Sequence, residues 1–529
     1  MRRSVQGLFF LLAVALSACS EADVASPGTA NPGTVGGGGG SGGGSGSGGG
    51  GATCPAGTTN AGALGSLTVC NLTGVISTNL TLPNSASVVY RLNGRVDVGR
   101  DVGGDGSLSG GTPATLTIAA GVRLFGAAAG DLLVVNRGSR ISAVGTATNP
   151  VVFTSRQALE GTNTESSSRQ WGGVIMAGRA PVRKCATAVP AESADCQNEI
   201  EGVTASTGFP ARYGGATPGD NSGVLQYVQI KFAGAFLPGA AAGDDLNGVS
   251  LGGIGSGTLV DFLQVHNSGD DGIEVFGGRV NLKHIIITGA FDDSLDCDEG
   301  WTGNVQFALT IQRAFSAGGS SGPDNLVECS NAVAQSIQPN PVQTRPKIAN
   351  FTFIGQARND GGSAIRGIEI DSSAGGNPGA SGRYFNGVVI GSTRCLSVSA
   401  ADNGARGAAD LTVNPPTFNS VLFDCGSSGT FSAEAVSLIN AGTNNSGPTT
   451  FQSPYAANTL AQPSAPSLAA TASFNTRIVN GANETARAAF NLATLGELFF
   501  TPTTWIGAVR DNADTWWRGW SCGLESANC

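Results

Sequence analysis

The chain has 529 residues, only 13% of them charged, and carries a formal net charge of -9 at pH 7. An acidic chain this sparing with Lys and Arg argues against nucleic acid or anionic lipid as a partner. With 81 Gly, 2 Met and 2 His, its composition favours turns and short strands over helices.

The first 19 residues form an export leader: Arg2 and Arg3, the apolar run LFFLLAVAL, then Leu16-Ser17-Ala18-Cys19. The run is too short to cross a bilayer as a helix, which takes about 20 residues. Its end resembles the bacterial lipobox, which implies acylation of Cys19, with cleavage of an ordinary signal peptide near Ala18 as the alternative. Ser20 rather than Asp follows, and in Gram-negative lipoproteins that resemblance implies an outer-membrane lipoprotein on the periplasmic or cell-surface face. Residues 20–52 form a tether, of which 36–51 contains only Gly and Ser. Such a sequence behaves as flexible coil with a reach of about 30 Å, so the N-terminal lipid is the only expected membrane contact.

The ten remaining cysteines fall as sequence neighbours: Cys54/Cys70, Cys185/Cys196, Cys297/Cys329, Cys395/Cys425 and Cys522/Cys529. In an oxidising compartment, pairing each with its neighbour is the simplest choice. No CxxC occurs, which leaves a zinc or thioredoxin-like reading without support.

Residues 53–114 are expected to hold an N-terminal cap and the first strands, and 115–480 a solenoid of short strands separated by Gly, Asn and Asp turns. Early rungs show in TLTIAAGVRLFG (115–126) and LLVVNRGSRISAVG (132–145). In LQYVQIKFAG, VDFLQVHNSG and VNLKHIIITG, counting back from the final Gly puts Ile230, Val265 and Ile285 on one inward register and both histidines on the outward one. The next strand of each rung aligns as NGVSL, DGIEV, DSLDC, RGIEI and RCLSV. That predicts an inner stack of Val249, Ile273, Leu295, Ile368 and Leu396 and outer residues Ser250, Glu274, Asp296, Glu369 and Ser397. The gap between Asp293 and Arg366 has room for about three rungs. Residues 481–529 are expected to cap the coil, with helical composition in 484–499 and Trp505, Trp516, Trp517 and Trp520 closing its end, against the alternative of a sugar-stacking platform.

ISAVGTATNPVVFTS, WGGVIMAG, DDGIEVFGG, DDSLDCDEGW and WIGAVRDNADTWWRGW together resemble a large group of uncharacterised bacterial surface lipoproteins. The resemblance spans roughly residues 110–522 and implies an all-β, right-handed parallel β-helix of the pectate-lyase-like type, with no agreed activity.

The Asp-Asp pairs at Asp270 and Asp292 start 22 residues apart, one solenoid turn. Equivalent residues on stacked rungs lie about 4.8 Å apart, so Glu274 and Asp296 should repel each other unless something relieves them. Arg279, Lys283, a raised pKa or a bound cation are the candidates. Calcium takes six to eight oxygen ligands, and Asp270, Glu274, Asp292, Asp296 and Asp298 are its candidate ligands. A turn ladder of Asn247, Asp271 and Asp293 bonding backbone is the reading that comes first, with calcium binding after it.

Catalysis is the second alternative. DDGIEV followed by DDSLDCD is similar to the paired Asp of polygalacturonase-type glycosidases, which implies acid and base roles for Asp271, Asp292 and Asp293. Departing from that pattern, no histidine follows His284, so the family's Gly-His-Gly is missing. A lyase would use calcium and a basic residue, with Arg313 a positional guess. The sequence thus favours a surface binding or structural protein for glycan or envelope partners, with a polysaccharide-degrading glycosidase or lyase as the alternative.

Overall fold

The computed structural model describes residues 52–164, 166–241, 244–312, 324–331, 342–355, 365–372, 378–425, 431–446, 478–524 and 529. Cys19, residues 20–51 of the tether and Arg313 lie outside them. The fold is an all-β, right-handed parallel β-helix, and consecutive rungs pair strand on strand in parallel.

Two strand stacks frame the site. The first runs through Gly173–Ala177, Val249–Gly252, Ile273–Phe276, Leu295–Asp298, Asn325–Cys329, Arg366–Ile370 and Arg394–Ser397. The second runs through Gly223–Lys231, Leu259–His266, Asn281–Thr288, Asn304–Ile311, Lys347–Ile354, Arg383–Ile390 and Thr417–Asp424. Because side chains alternate along a strand, each rung turns one apolar row to the axis. Val249, Ile273, Leu295, Ile368 and Leu396 do form one inner row, with Val327 between Leu295 and Ile368. Each is almost fully buried, a burial that contributes about 1.5–3 kcal/mol per side chain.

Two expectations about the stacks need correction. Between Leu295–Asp298 and Arg366–Ile370 this stack holds, among the described residues, the single strand Asn325–Cys329 and not three. In the second stack Ile230 pairs with Val265, but Val265 pairs with Ile287, two residues beyond Ile285. Corner conformation explains the slip. Phe232, Asn267 and Gly289, one rung apart, all take positive φ of 61°, 53° and 71°, so the structural equivalent of Gly289 is Asn267 and not Gly269.

A second row of positive φ runs through the middle of this stack at Tyr227, Phe262, His284, Phe307, Asn350, Asn386 and Ser420. Such a conformation costs a non-glycine residue about 1–3 kcal/mol, and stacking offsets part of it. Tyr227 lies 4.3 Å from Phe262, Phe262 4.2 Å from His284 and His284 4.9 Å from Phe307, ring centre to centre. The histidines therefore point away from the axis as expected but are not surface residues. His284 is held between two rings and bonded to Asp261 at 2.7 Å, and His266 is 6% exposed.

The C-terminal cap has two parts with different tasks. The Ala433–Ala441 helix, with Ser432 accepting the Ala435 N–H at its start, puts Ala435 and Ile439 into the axial core. It closes the open end that a solenoid must cover. The aromatic segment instead runs back along the side of the second stack, where Trp517 and Trp520 join a separate core with Ile286, Leu309, Ile354 and Val388. Amides on successive rungs hold its backbone. Asn386 bonds Phe490 in both directions, Gln306 bonds Thr501 likewise, and Asn350 donates to Trp505 O. Gln264 exchanges two bonds of 2.8 Å with Cys522. Residues 484–499 are not one helix: only Ala482–Thr485 and the 3-10 turn Leu492–Leu495 are helical.

Disulfides join Cys54 to Cys70, Cys185 to Cys196, Cys297 to Cys329, Cys395 to Cys425 and Cys522 to Cys529. No helix among the described residues is long and apolar enough to cross a membrane.

Candidate metal centre

The outer face of the first stack is a ladder of carboxylates. Where Ile273 and Val275 turn inward, Glu274 between them must turn outward, and register places Ser250, Glu274, Asp296, Glu328, Glu369 and Ser397 in one row. Neighbouring charges in such a row, about 4.8 Å apart, repel by about 3 kcal/mol at an effective dielectric near 20.

The turn before each strand adds a second row. Asp271 accepts the Asp293 N–H at 2.8 Å, and Asp293 accepts the Asn325 N–H at 2.7 Å. This is the turn ladder read from sequence, and Asn247 and Asn325 tie it to the outer row by donating to Glu274 and Glu328. Ahead of it stand Asp270 and the solvent-exposed Asp292, with Asp324 following on the next rung.

These rows converge in three overlapping triplets: Asp270, Asp271 and Asp292; Asp271, Glu274 and Asp296; and Asp293, Asp296 and Glu328. Within each, one oxygen per residue lies within 4.8 Å of the others. Four of the five residues expected to ligate calcium are thus brought together. Asp298 belongs to none of the triplets, and its carboxylate accepts the Glu299 N–H.

A roof closes over part of the ladder. Residues 178–222 form an insertion braced by Cys185–Cys196 and by the antiparallel pair Asn198–Glu199 and Arg212–Tyr213. It packs Val182, Ile200, Val203 and Tyr213 against Val134 and Ile175 of the coil. Beneath it, buried Glu299 accepts from Tyr213 and Asn198, each at 2.9 Å. Burial and the Asp298 charge push its carboxyl up to about 8. The insertion also supplies Glu201, which hydrogen-bonds Glu274, and whose carboxyl burial and the nearby Asp244 raise to about 7.

Withdrawal from water dominates the electrostatics. Burial first, then the Asp292 charge, lifts Asp270 to about 8, while Asp292, although its side chain reaches solvent, is lifted to about 6 by the protein packed around its turn and by Asp324, against the pull of Arg406 and Arg169. Asp271, Glu274, Asp293 and Asp296 are pushed well above the carboxylate range, by burial first and neighbouring acids second. Arg279 and Lys283 do not relieve them: Arg279 reaches Glu192 at 3.5 Å, and Lys283 bonds Phe499 O and Thr501 under the aromatic segment. The cations on the ladder come from elsewhere. Arg406 contacts Glu328 and Asp371, Arg366 lies 3.2 Å from Glu369, and Arg169 lies 3.3 Å from Asp245.

The clusters are able to coordinate a divalent metal such as calcium. Every donor is oxygen, as a hard cation prefers, with no His or Cys in any triplet to favour zinc. Asp296 also keeps one buried carboxylate oxygen, Oδ1, without a hydrogen-bond donor. Glu328 escaped the sequence reading although NLVEC repeats the pattern of DGIEV and DSLDC; Glu201 and Arg406 arrive on connections with no such signature.

Residues 74–455 match the family described as pectate-lyase like beta helix domain. No curated protein and no solved structure matches the chain.

Proposed function

We propose, on the premise that this chain belongs to the pectate-lyase like β-helix family, that it acts on an anionic polysaccharide through a divalent cation held on its acidic ladder. The observation that carries the reading is the triplet of Asp270, Asp271 and Asp292, on neighbouring rungs and open to solvent at Asp292. Calcium bound there would supply the positive charge that draws in a uronate carboxylate and stabilises negative charge developing beside it.

The ladder suits ligation better than direct acid and base work. An inverting pair of carboxyl groups needs about 6.5–9.5 Å to admit a water, whereas oxygens of each triplet lie within 4.8 Å. Asp271 and Asp293 spend one oxygen each on the backbone of the next rung, which fixes them as positioned ligands, and Asp292 is left as the arm that meets substrate. Arg169 and Arg406 are the basic side chains whose positive charge reaches Asp292, so cleavage by elimination is the activity to seek, with these guanidiniums stabilising the negative charge that develops as the proton passes to a ladder carboxylate or to water.

The leader and Cys19 support an exported, lipid-anchored protein at the outer membrane, with the tether giving the body reach toward glycan. A binding-only role is the second reading, favoured by the roof that leaves Glu274 7% exposed. A panel of anionic polysaccharides, assayed for unsaturated product, tests the first. Release that both a chelator and Asp292→Asn abolish supports it. Release indifferent to both contradicts it, and calcium-dependent binding without any release leaves the second reading.

A further inference from the structure

The insertion that roofs the ladder has another edge. Thr207, Phe209 and Pro210 face the coil at Arg95 and Asp97, enclosing a pocket of about 510 Å³ whose wall includes the bare backbone of Gly74 and Gly99. Arg95 builds this corner. Its guanidinium grips Asp97 through two bonds of 2.9 and 2.8 Å and donates to Thr207 Oγ1 and the carbonyls of Phe209 and Pro210.

Two arginines and two aspartates line the pocket, and the buried Arg137 behind it adds a third positive charge. Asp97 is neutralised by Arg95, and Asp101 is taken by the buried Arg137 in a two-bond pair at 2.8 and 2.6 Å. Arg100, which also lines the pocket, is exposed and forms no ion pair among the described residues. A chain of net charge -9 therefore presents one surplus guanidinium at a concave site. Beside it Phe209 keeps 71% of its surface open to water, an aromatic face with no ring stacked on it among the described residues.

Strand register relates this pocket to the acidic ladder. Asp97, Val134, Ile175, Ser250 and Glu274 are successive members of one outward row, which puts the two regions four rungs, or about 19 Å, apart along one face. The insertion covers the apolar middle of that row, with Glu201 at the ladder and Phe209 at the pocket.

We propose that this pocket is a second glycan subsite, taking one sugar residue that carries a carboxylate or sulfate group. The sugar's apolar face lies on the Phe209 ring and its anion on Arg100, the combination of aromatic platform and planar charged fork that suits such a ligand. The subsite does not depend on the cation triplets, so it stands or falls apart from the function proposed above.

Calorimetric titration of the whole protein, with chelator present, tests it using three probes: a uronic-acid oligosaccharide, its carboxyl-reduced neutral form and a sulfated oligosaccharide. The expected result is binding of a charged probe in preference to the neutral one. Arg100→Gln and Phe209→Ala should each weaken it about tenfold, the worth of one charge-assisted contact, with the melting temperature unchanged since both side chains are exposed. Failure of both charged probes to bind, equal binding of the neutral form, or pocket variants that bind normally would each overturn the proposal. Binding lost in Asp292→Asn but kept in the pocket variants would place the glycan on the ladder and overturn it as well.

Discussion

The two outward faces of this coil are both covered, yet they are covered in opposite ways. Over the second stack, amides from successive rungs meet the backbone of the aromatic segment donor to acceptor, and rings fill the space between. Over the first stack, loops close on a row of carboxylates whose neighbours are mostly other carboxylates. Polar groups buried with partners hold a structure together, while charges buried against like charges weaken it until something binds. One face is built for stability; the other carries clusters able to coordinate a divalent cation, at some cost to it.

The contrast should break most visibly at Trp520. This side chain is fully buried, donates to Trp516 O at 2.7 Å and packs edge-on to Tyr227 and Phe262. Trp520→Ala should cost about 3–5 kcal/mol of stability by chemical denaturation and leave calcium affinity unaltered. Asp296→Asn should have the opposite sign in cation-free protein. It replaces a carboxyl that burial and neighbouring acids force to hold its proton with an amide that has no such cost, and should stabilise by about 1–2 kcal/mol, and a loss of stability instead would mean that the row is already neutralised by its arginines.

Acidity sharpens the comparison further, with smaller effects. Asp270 and Asp292 titrate near 8 and 6 in the folded chain, above the value of about 4 for an unfolded carboxyl. Between about pH 4 and 8 the folded state therefore holds more protons than the unfolded one, and the stability of cation-free protein should fall as pH rises through that window. Lys231, which donates to Cys529 O under the aromatic segment, is lowered by burial to about 8. There the unfolded chain holds the extra proton, so between about pH 8 and 10.5 this contribution grows with pH. Denaturation midpoints measured across both windows should show a fall and then an opposing term, and a calcium-saturated sample should lose most of the fall.

Much of this was legible in the residues, because a solenoid writes its repeat into local sequence. The parity of DGIEV and DSLDC was enough to place Ile273 and Leu295 inside and Glu274 and Asp296 outside. Register in the second stack was harder. Glycine marks a corner only when it fills the positive-φ position, and Asn267 and Phe232 fill that position on the two preceding rungs. The aromatic segment's course was not legible, since docking along a side leaves no local pattern. Its receptor did leave one: Gln229 and Gln264 put uncharged amides at one register on consecutive rungs, and Gln306 and Asn350 add two more on later ones, where a face in water would carry Lys or Glu. The arginines that temper the ladder were hidden for a related reason, as Arg406 and Arg169 reach it from distant turns.

The central claim is that the ladder holds a divalent cation. Thermal unfolding of cation-free protein titrated with calcium near neutral pH tests it directly. The structure predicts a stabilisation that grows with calcium, about 2.7 kcal/mol at a hundredfold excess over Kd, and that Glu274→Gln and Asp296→Asn each diminish. A melting temperature that is the same in chelator and in calcium would contradict it.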